Sequence, residues 1–249
     1  MLTMVPYTRD LVLMGGGHAH ALVIKAWGMD PLPGARLTVI NPGPTAPYTG
    51  MLPGHVAGHY RCDELEIDLV RLCRHAGARL ILDKAVDINQ SRREVILESR
   101  GALAYDVASI DVGITAKLDL LGFAGFGIGA KPLNMYAKRW RSFLAQVVKG
   151  QSASDVAVIG GGIAGCELAM AMAFALRSAG ISPRVTVIES GPQITGVGGK
   201  ARQRILMAMS GLGIVVKTCV TVVEVMADKV LLDGQESVPA TFCVGAAGG

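Results

Sequence analysis

Residues 155–189 open with Asp155-Val-Ala-Val-Ile159 and Gly160-Gly-Gly162-Ile-Ala-Gly165-Cys-Glu167. An apolar run at helical spacing follows, and the stretch closes on Arg184-Val-Thr-Val-Ile-Glu189. A β-prone strand runs straight into a glycine cluster, a helix comes next, and a second β-branched strand ends on a carboxylate. In that order these are the parts of a dinucleotide-binding fingerprint. Gly160 permits the sharp turn out of the strand. Gly162 has no Cβ, so the backbone can approach a pyrophosphate. Gly165 lets the helix pack against the strand. The first helical turn then offers free N–H groups and a partial positive charge to phosphate oxygens. Glu189 stands 29 residues after Gly160, beyond the usual interval of about 20. A longer helix, Cys166 to about Ser178, and a loop account for the difference. The Glu189 carboxylate can accept from a ribose 2′-OH and repels a 2′-phosphate, which favours NAD(H) over NADP(H).

Two blander readings compete: a glycine-rich turn with no ligand, and a membrane helix. Val156–Leu176 is 21 residues with one charge. Three consecutive glycines and Glu167 inside that span argue against a membrane helix.

The same plan occurs earlier in the chain. Leu11-Val-Leu-Met14 is a strand, Gly15-Gly-Gly17-His-Ala-His20 the turn, Ala21–Trp27 a helix, and Arg36-Leu-Thr-Val-Ile-Asn41 the next strand. Gly28, Pro31, Pro33 and Gly34 close that helix. Gly15 aligns with Gly160 and Gly17 with Gly162 at an offset of 145, and Asn41 with Glu189 at 148. This first copy departs twice: His20 replaces the third glycine and Asn41 the ribose-binding acid. His20 is expected to hold the helix slightly away from the strand. Asn41 keeps one acceptor for a ribose hydroxyl without a charge. His18 and His20 are two apart at a helix start, so they point to different sides and make a poor metal pair. No metal site is expected.

The 249 residues can hold one large domain or two ordinary ones. Apolar residues make up 51% and aromatics 5%, so a full core must be packed with Ala, Val, Leu and Met. A net charge of +4 without a dense Lys/Arg cluster gives no ground for a nucleic-acid partner. The five cysteines, Cys62, Cys73, Cys166, Cys219 and Cys243, include no close pair. They suit free thiols in a reducing compartment. Met1–Asp10 lacks a long apolar stretch, so a cytoplasmic location is the default expectation.

Residues 42–60, with their prolines and glycines around Tyr48-Thr-Gly-Met-Leu-Pro-Gly54, read as an ordered loop of the kind that borders a ligand ring. Ile67–His75 reads as a short helix. Arg79-Leu-Ile-Leu82 and Glu94-Val-Ile-Leu97 read as strands around a polar turn. Tyr105–Gly113 and Phe242-Cys-Val-Gly245 each close one half of the repeat. Leu118–Gly129 reads as a crossover, and Pro132–Val148 contains a helix with Trp140, Phe143 and Leu144 on one side. The fold class expected is α/β, with two tandem Rossmann-like three-layer units, the second inserted into the first. The expected domains are 1–117, a crossover 118–150, and 151–249.

With these stretches in hand, the chain resembles the two-dinucleotide-binding flavoproteins of the pyridine nucleotide–disulfide oxidoreductase superfamily. Within it the chain is most similar to the type II NADH dehydrogenase and sulfide:quinone reductase branch, above all to members fused to selenophosphate synthetase. The stretches that carry the resemblance are Gly15–His20, Tyr48–Tyr60, Tyr105-Asp106 with Asp111-Val-Gly113, Lys131-Pro132 and Gly160–Glu167. The resemblance implies FAD on the first unit and NADH on the second. Gly15, Gly17, His18 and Ala19 would hold the FAD pyrophosphate, Asn41 would face its ribose, and Val86 would meet the adenine through backbone groups. Met51, Leu52 and Gly113 would lie near the flavin. Gly160, Gly162, Ile163, Ala164, Gly165, Glu167 and Glu189 would hold NADH, with Gly245 closing that site. Lys131 would be the residue able to stabilise an anionic reduced flavin, against its plainer reading as a surface lysine.

The implied activity is transfer of hydride from NADH to flavin and on to a quinone or small-molecule acceptor. Two alternatives stay open. One is sulfide oxidation, for which no cysteine is well placed. The other is a non-catalytic nucleotide-binding or docking module of a larger protein. The family pattern continues past Gly249 with a Gly-Asp segment and a C-terminal domain, which would also supply any membrane contact. The chain is therefore expected to be a truncated product that holds FAD weakly and self-associates.

Overall fold

The computed structural model describes residues 6–113 and 118–246, and the expected boundary at residue 117 lies outside them. The first elements are β1 (Arg9–Met14), α1 (His18–Met29), β2 (Ala35–Asn41), β3 (Thr45–Pro47), α2 (Leu52–Val56), β4 (Glu66–Asp68) and α3 (Leu69–Ala76). Next come β5 (Arg79–Leu82), β6 (Ala85–Asn89), β7 (Glu94–Leu97), β8 (Gly101–Ala104), β9 (Val107–Ile110), α4 (Phe123–Phe126), β10 (Gly127–Gly129) and α5 (Leu133–Val148). The chain continues with β11 (Asp155–Ile159), α6 (Ile163–Ser178), β12 (Arg184–Ile188), α7 (Gly199–Gly211) and β13 (Val215–Lys217). It closes with β14 (Val222–Val225), β15 (Lys229–Leu232), β16 (Ser237–Pro239) and β17 (Phe242–Gly245).

Two compact units result. One takes in the described chain up to Tyr48 together with Leu65–Gly113, and the other Thr49–Glu64 with the described residues beyond Gly113. The first is built on a parallel sheet of order β5-β2-β1-β9. Side chains alternate across a strand, so Leu13, Leu37 and Val39 face Ile24 of α1 and Leu69 and Cys73 of α3. Val12, Met14 and Ile40 face Val95 and Leu97 of the antiparallel sheet β6-β7-β8. Helices, parallel sheet and small sheet make three layers.

The second unit repeats the arrangement on a parallel sheet of order β10-β17-β11-β12-β13. Ala157, Ile159 and Ile188 face the antiparallel sheet β14-β15-β16 through Val222, Val225, Val230 and Val238. On the α5 side, Phe242 packs against Trp140 and Phe143 with ring centroids 5.4 and 4.9 Å apart. The repeat extends to an ion-pair clamp at the strand starts. Arg36 Nε reaches Asp10 at 2.6 Å, and Arg184 Nε reaches Asp155 at 2.6 Å. The fold is the α/β architecture of paired Rossmann-like units.

Several boundaries differ from the sequence reading. α1 runs through Gly28 to Met29; a Cβ at Gly28 would lie 2.6 Å from the His75 ring, so the bare Cα gives α1 and α3 room to approach. Residues 66–68 form β4 against β3, so α3 starts at Leu69, capped by Asp68, whose Oδ1 accepts from Arg71 N at 2.9 Å. β5 joins the parallel sheet, and the hairpin partner of β7 is β6, which the charge at Asp87 conceals in the sequence. The crossover 118–129 contributes β10 to the second sheet. The loop 42–60 contains β3, a 3-10 turn at Thr49–Met51 and α2. Among the described residues, no helix is long and apolar enough to cross a membrane.

Candidate functional site

In the second unit the turn between β11 and α6 is shaped by its glycines. Gly160 has φ of 105°, a conformation costly for any residue with a Cβ. A Cβ on Gly165 would fall on the Gly160 carbonyl oxygen, so glycine is needed there for helix and strand to touch. Gly162 is different: it is exposed, and a Cβ there would meet nothing within 4 Å. The space beside it is therefore open. The first helical hydrogen bond runs from Cys166 N to Gly162 O at 3.0 Å, so the amides of Ile163, Ala164 and Gly165 precede the helical ladder. Glu167 is exposed on α6. Glu189, at the end of β12, closes the turn. Its Oε2 accepts from Gly161 N at 2.7 Å and its Oε1 from Gly191 N at 2.7 Å. Ser190 Oγ also donates weakly to Oε1 at 3.4 Å, so Oε2 is the oxygen that keeps a lone pair for a further donor. A cleft of about 180 Å³ adjoins Gly160 and Glu189, with Leu118, Leu120, Val220 and Val222 as apolar lining. The turn fits a dinucleotide: open space at the second glycine, free amides, an acid at the ribose end, and an apolar cleft beside it.

The first unit follows the same scheme with different chemistry. Gly15 has φ of 90°. Asn41 takes the place of Glu189, with Oδ1 accepting from Gly16 N at 3.0 Å. Its Nδ2 donates to Gly43 O at 2.8 Å and Thr45 O at 3.1 Å, so Asn41 pins the following loop and is itself buried. One lone pair on Oδ1 is all it leaves for a ribose. His20 fills the position of the missing glycine with its ring. Its ring is buried, with Nδ1 2.7 Å from Gly15 O and Nε2 2.9 Å from Ser109 Oγ. Because a carbonyl only accepts, Nδ1 donates; in the neutral ring Nε2 then accepts from the Ser109 hydroxyl. The imidazole binds the same carbonyl position that Gly165 merely touches in the second unit. His18 and Ala19 are exposed at the start of α1. The sequence reading gave no role to Asp111. Its Oδ2 accepts from His20 N at 3.2 Å, and a Cβ on Gly17 would fall on its carboxylate. The first turn therefore does not offer the open space found at Gly162.

The sequence model of the pyridine nucleotide-disulphide oxidoreductases matches residues 9–249. The chain belongs to this family. Proteins of the family bind FAD and NAD(P)H. No curated protein matches the chain. Among solved structures it is similar to the sulfide:quinone oxidoreductase of the bacterium Aquifex aeolicus. The identity is 20%, the TM-score 0.78, and the match covers 96% of this chain and 58% of that one. It is also similar to the ferredoxin reductase for the CYP199A2 system of Rhodopseudomonas palustris, at 20% identity and a TM-score of 0.80, covering 97% and 59%. A third is NDH2 of Plasmodium falciparum in complex with NADH, at 16% identity and a TM-score of 0.78, covering 96% and 55%. The chain thus spans under two thirds of the length of each.

The family's other expected positions fall as follows. Val86 is exposed where the β6–β7 register slips, which leaves it outside the ladder. Gly113 follows β9 with φ of 73° and open space at its Cβ position. Met51 and Leu52 pack with the second unit, as does the whole 49–64 segment; Trp140 Nε1 donates to Val56 O at 3.1 Å. Lys131 lies half-buried between β10 and α5. At Gly245 a Cβ would run into the side-chain ends of Leu118 and Phe123, which pack against its bare Cα. All five cysteines are free thiols. Burial pushes Cys73 up to about 11 and Cys243 up to about 12. Burial, then Glu189 and Glu167, push Cys166 up to about 11. Thiols with such values are poor nucleophiles near neutral pH.

Proposed function

We propose that the chain is the dinucleotide-binding portion of an FAD-dependent NADH oxidoreductase that delivers electrons to a quinone or another small molecule. The observation that carries this reading is the second turn, which combines an open Gly162, free amides at the start of α6 and the Glu189 carboxylate bonded to Gly161 N, with a cleft at Gly160 and Glu189. Gly160, Gly162, Ile163, Ala164 and Gly165 hold the NADH pyrophosphate, and Glu189 accepts from the adenosine ribose. The apolar cleft beside Glu189 suits the adenine ring. In the first unit Gly15, Gly17, His18 and Ala19 form the FAD turn, with Asn41 at its ribose end and the backbone of Val86 toward the adenine. Bound flavin supplies the redox chemistry, as hydride acceptor from NADH and donor to the final acceptor. The protein's part is to select NADH, to hold it, and to keep the 2′-phosphate cofactor away.

Sulfide oxidation is disfavoured at Cys73, Cys166 and Cys243 by their burial, and the accessible Cys62 and Cys219 form no close pair in the sequence. A second reading, a non-catalytic nucleotide-binding module such as one fused to selenophosphate synthetase, draws support from the Asp111 carboxylate at the first turn. One experiment separates the two. The 249-residue chain, supplied with FAD, should become yellow, bleach on addition of NADH, and recover its colour with a water-soluble quinone. A colourless protein that still binds NADH favours the module. A protein that binds neither dinucleotide removes both readings.

A further inference from the structure

The two turns carry one close carboxylate each, at opposite ends. In the second unit it is Glu189, at the ribose end, and the residue after β17 is Ala246. In the first unit the ribose end has neutral Asn41, and the residue after β9 is Asp111. The hydrogen bonds establish the correspondence: Asp111 N donates to Met14 O at 2.8 Å, and Ala246 N to Ile159 O at 2.8 Å. Met14 and Ile159 are the last residues of β1 and β11.

The Asp111 side chain turns over the first turn of α1. Its Oδ2 accepts from His20 N at 3.2 Å, and its carboxylate occupies the place where a Gly17 Cβ would stand. In a turn of this kind that bare Cα is what leaves room for a pyrophosphate. A helix N-terminus stabilises one anion; a second anion in the same space meets the first one's charge. At the matching place in the second unit, Ala246 presents only a methyl group, whose carbon would lie 3.4 Å from a Gly165 Cβ.

We infer that Asp111 sets the affinity of the first unit for its dinucleotide: its carboxylate stands in for the pyrophosphate, and FAD enters only when that carboxylate moves aside. The inference rests on the first unit being the flavin unit. Its consequence is a turn whose own residue competes with the cofactor, while the NADH turn has no such competitor.

The test titrates the 249-residue apoprotein with FAD, followed by quenching of flavin fluorescence. Wild type is compared with Asp111→Asn, Asp111→Ala and Asp106→Asn, each checked by circular dichroism and titrated with NADH in parallel. Asp111→Asn keeps an acceptor for His20 N and removes the charge; Asp111→Ala also clears the space. Asp106→Asn controls for charge on the same segment. Both Asp111 variants should bind FAD at least roughly tenfold tighter than wild type, a difference of about 1.4 kcal/mol. NADH affinity should be unchanged throughout, and Asp106→Asn should behave as wild type. Folded Asp111 variants that bind FAD no tighter overturn the inference and leave the flavin assignment standing. FAD binding by none of the proteins removes the flavin assignment and the inference with it. If one Asp111 variant fails to fold, the other decides. If both fail, the carboxylate is a structural cap and the inference is overturned.

Discussion

Replacing Glu189 by alanine removes a carboxylate that ties together the end of β12, the turn at Gly161 and the loop at Gly191. Both amides donate to it at 2.7 Å. Hydrogen bonds to a charged group contribute about 1.5–3 kcal/mol each, so a fully buried pair is worth roughly 3–6 kcal/mol. Glu189 is only partly buried, and water can reach the released amides. The net loss is therefore about 2 kcal/mol, or roughly 4–8 °C in Tm for a chain of this size. Glu189→Gln keeps one acceptor and should fall between. The same residue controls cofactor choice. Two like charges about 4 Å apart repel by ~1 kcal/mol in bulk water and ~4 kcal/mol near a protein surface. The unmodified protein should accordingly prefer NADH to NADPH by at least roughly tenfold. Glu189→Ala should bring that ratio toward unity, and Glu189→Arg should narrow or invert it. Thermal unfolding by circular dichroism and paired NADH and NADPH titrations read both effects. Wild-type Tm in Glu189→Ala would show that the two bonds hold nothing together in solution. Equal affinity of the unmodified protein for both cofactors would remove Glu189 from the ribose.

Two glycines of the same turn should respond in opposite ways. Gly162→Val has room for its side chain, so it should keep its far-UV spectrum and lose NADH binding; a folded variant with full affinity would place the ligand elsewhere. Gly165→Ala drives a Cβ onto the Gly160 carbonyl and should cost about 1–3 kcal/mol of stability, which an unchanged unfolding midpoint would contradict. His20→Gly restores the fingerprint glycine but forfeits the bonds to Gly15 and Ser109. It should destabilise the first unit by about 1–3 kcal/mol, whereas a gain in Tm would mean that the ring is a poor substitute for glycine. Burial alone would raise the Asp83 carboxyl. The hydrogen bonds from the Ser99 hydroxyl and the Lys84 and Ser99 amides, with Arg100 nearby, outweigh it and hold the group below the ordinary carboxylate range. Its stabilising effect is thus full above the unfolded value of about 3.9 and lost as pH falls through the lower folded value. Asp83→Asn should flatten that part of the acid limb, and an identical limb in the variant would exclude the contribution.

Much of the architecture is written locally. Strand, glycine turn, helix and terminal polar residue lie in one short stretch, and their twofold occurrence at nearly constant offset declares two α/β units. Gly160 and Gly15 permit the positive φ of a sharp turn that other residues resist, and the amides of a helix start are free wherever the helix sits. The repeat even contains, unread, the Asp10–Arg36 and Asp155–Arg184 clamps at matching positions. Other assignments depended on partners distant in the chain. Gly28 looks like a helix stop until His75 of α3 is seen against it. Gly245 shows its packing against Leu118 and Phe123 only in the fold. His20 looks like a damaged glycine position until Ser109 and Gly15 are found on its two ring nitrogens. Asp111 depends most of all on such pairing. In sequence it belongs to a stretch that carries the family resemblance but has no role of its own, and only the parallel pairing of β9 with β1 sets it over Gly17. Dihedral preference and side-chain alternation are properties of neighbouring residues, so the sequence displays them. Which strand lies beside which, and which charge therefore faces which turn, is decided by burial of the whole chain.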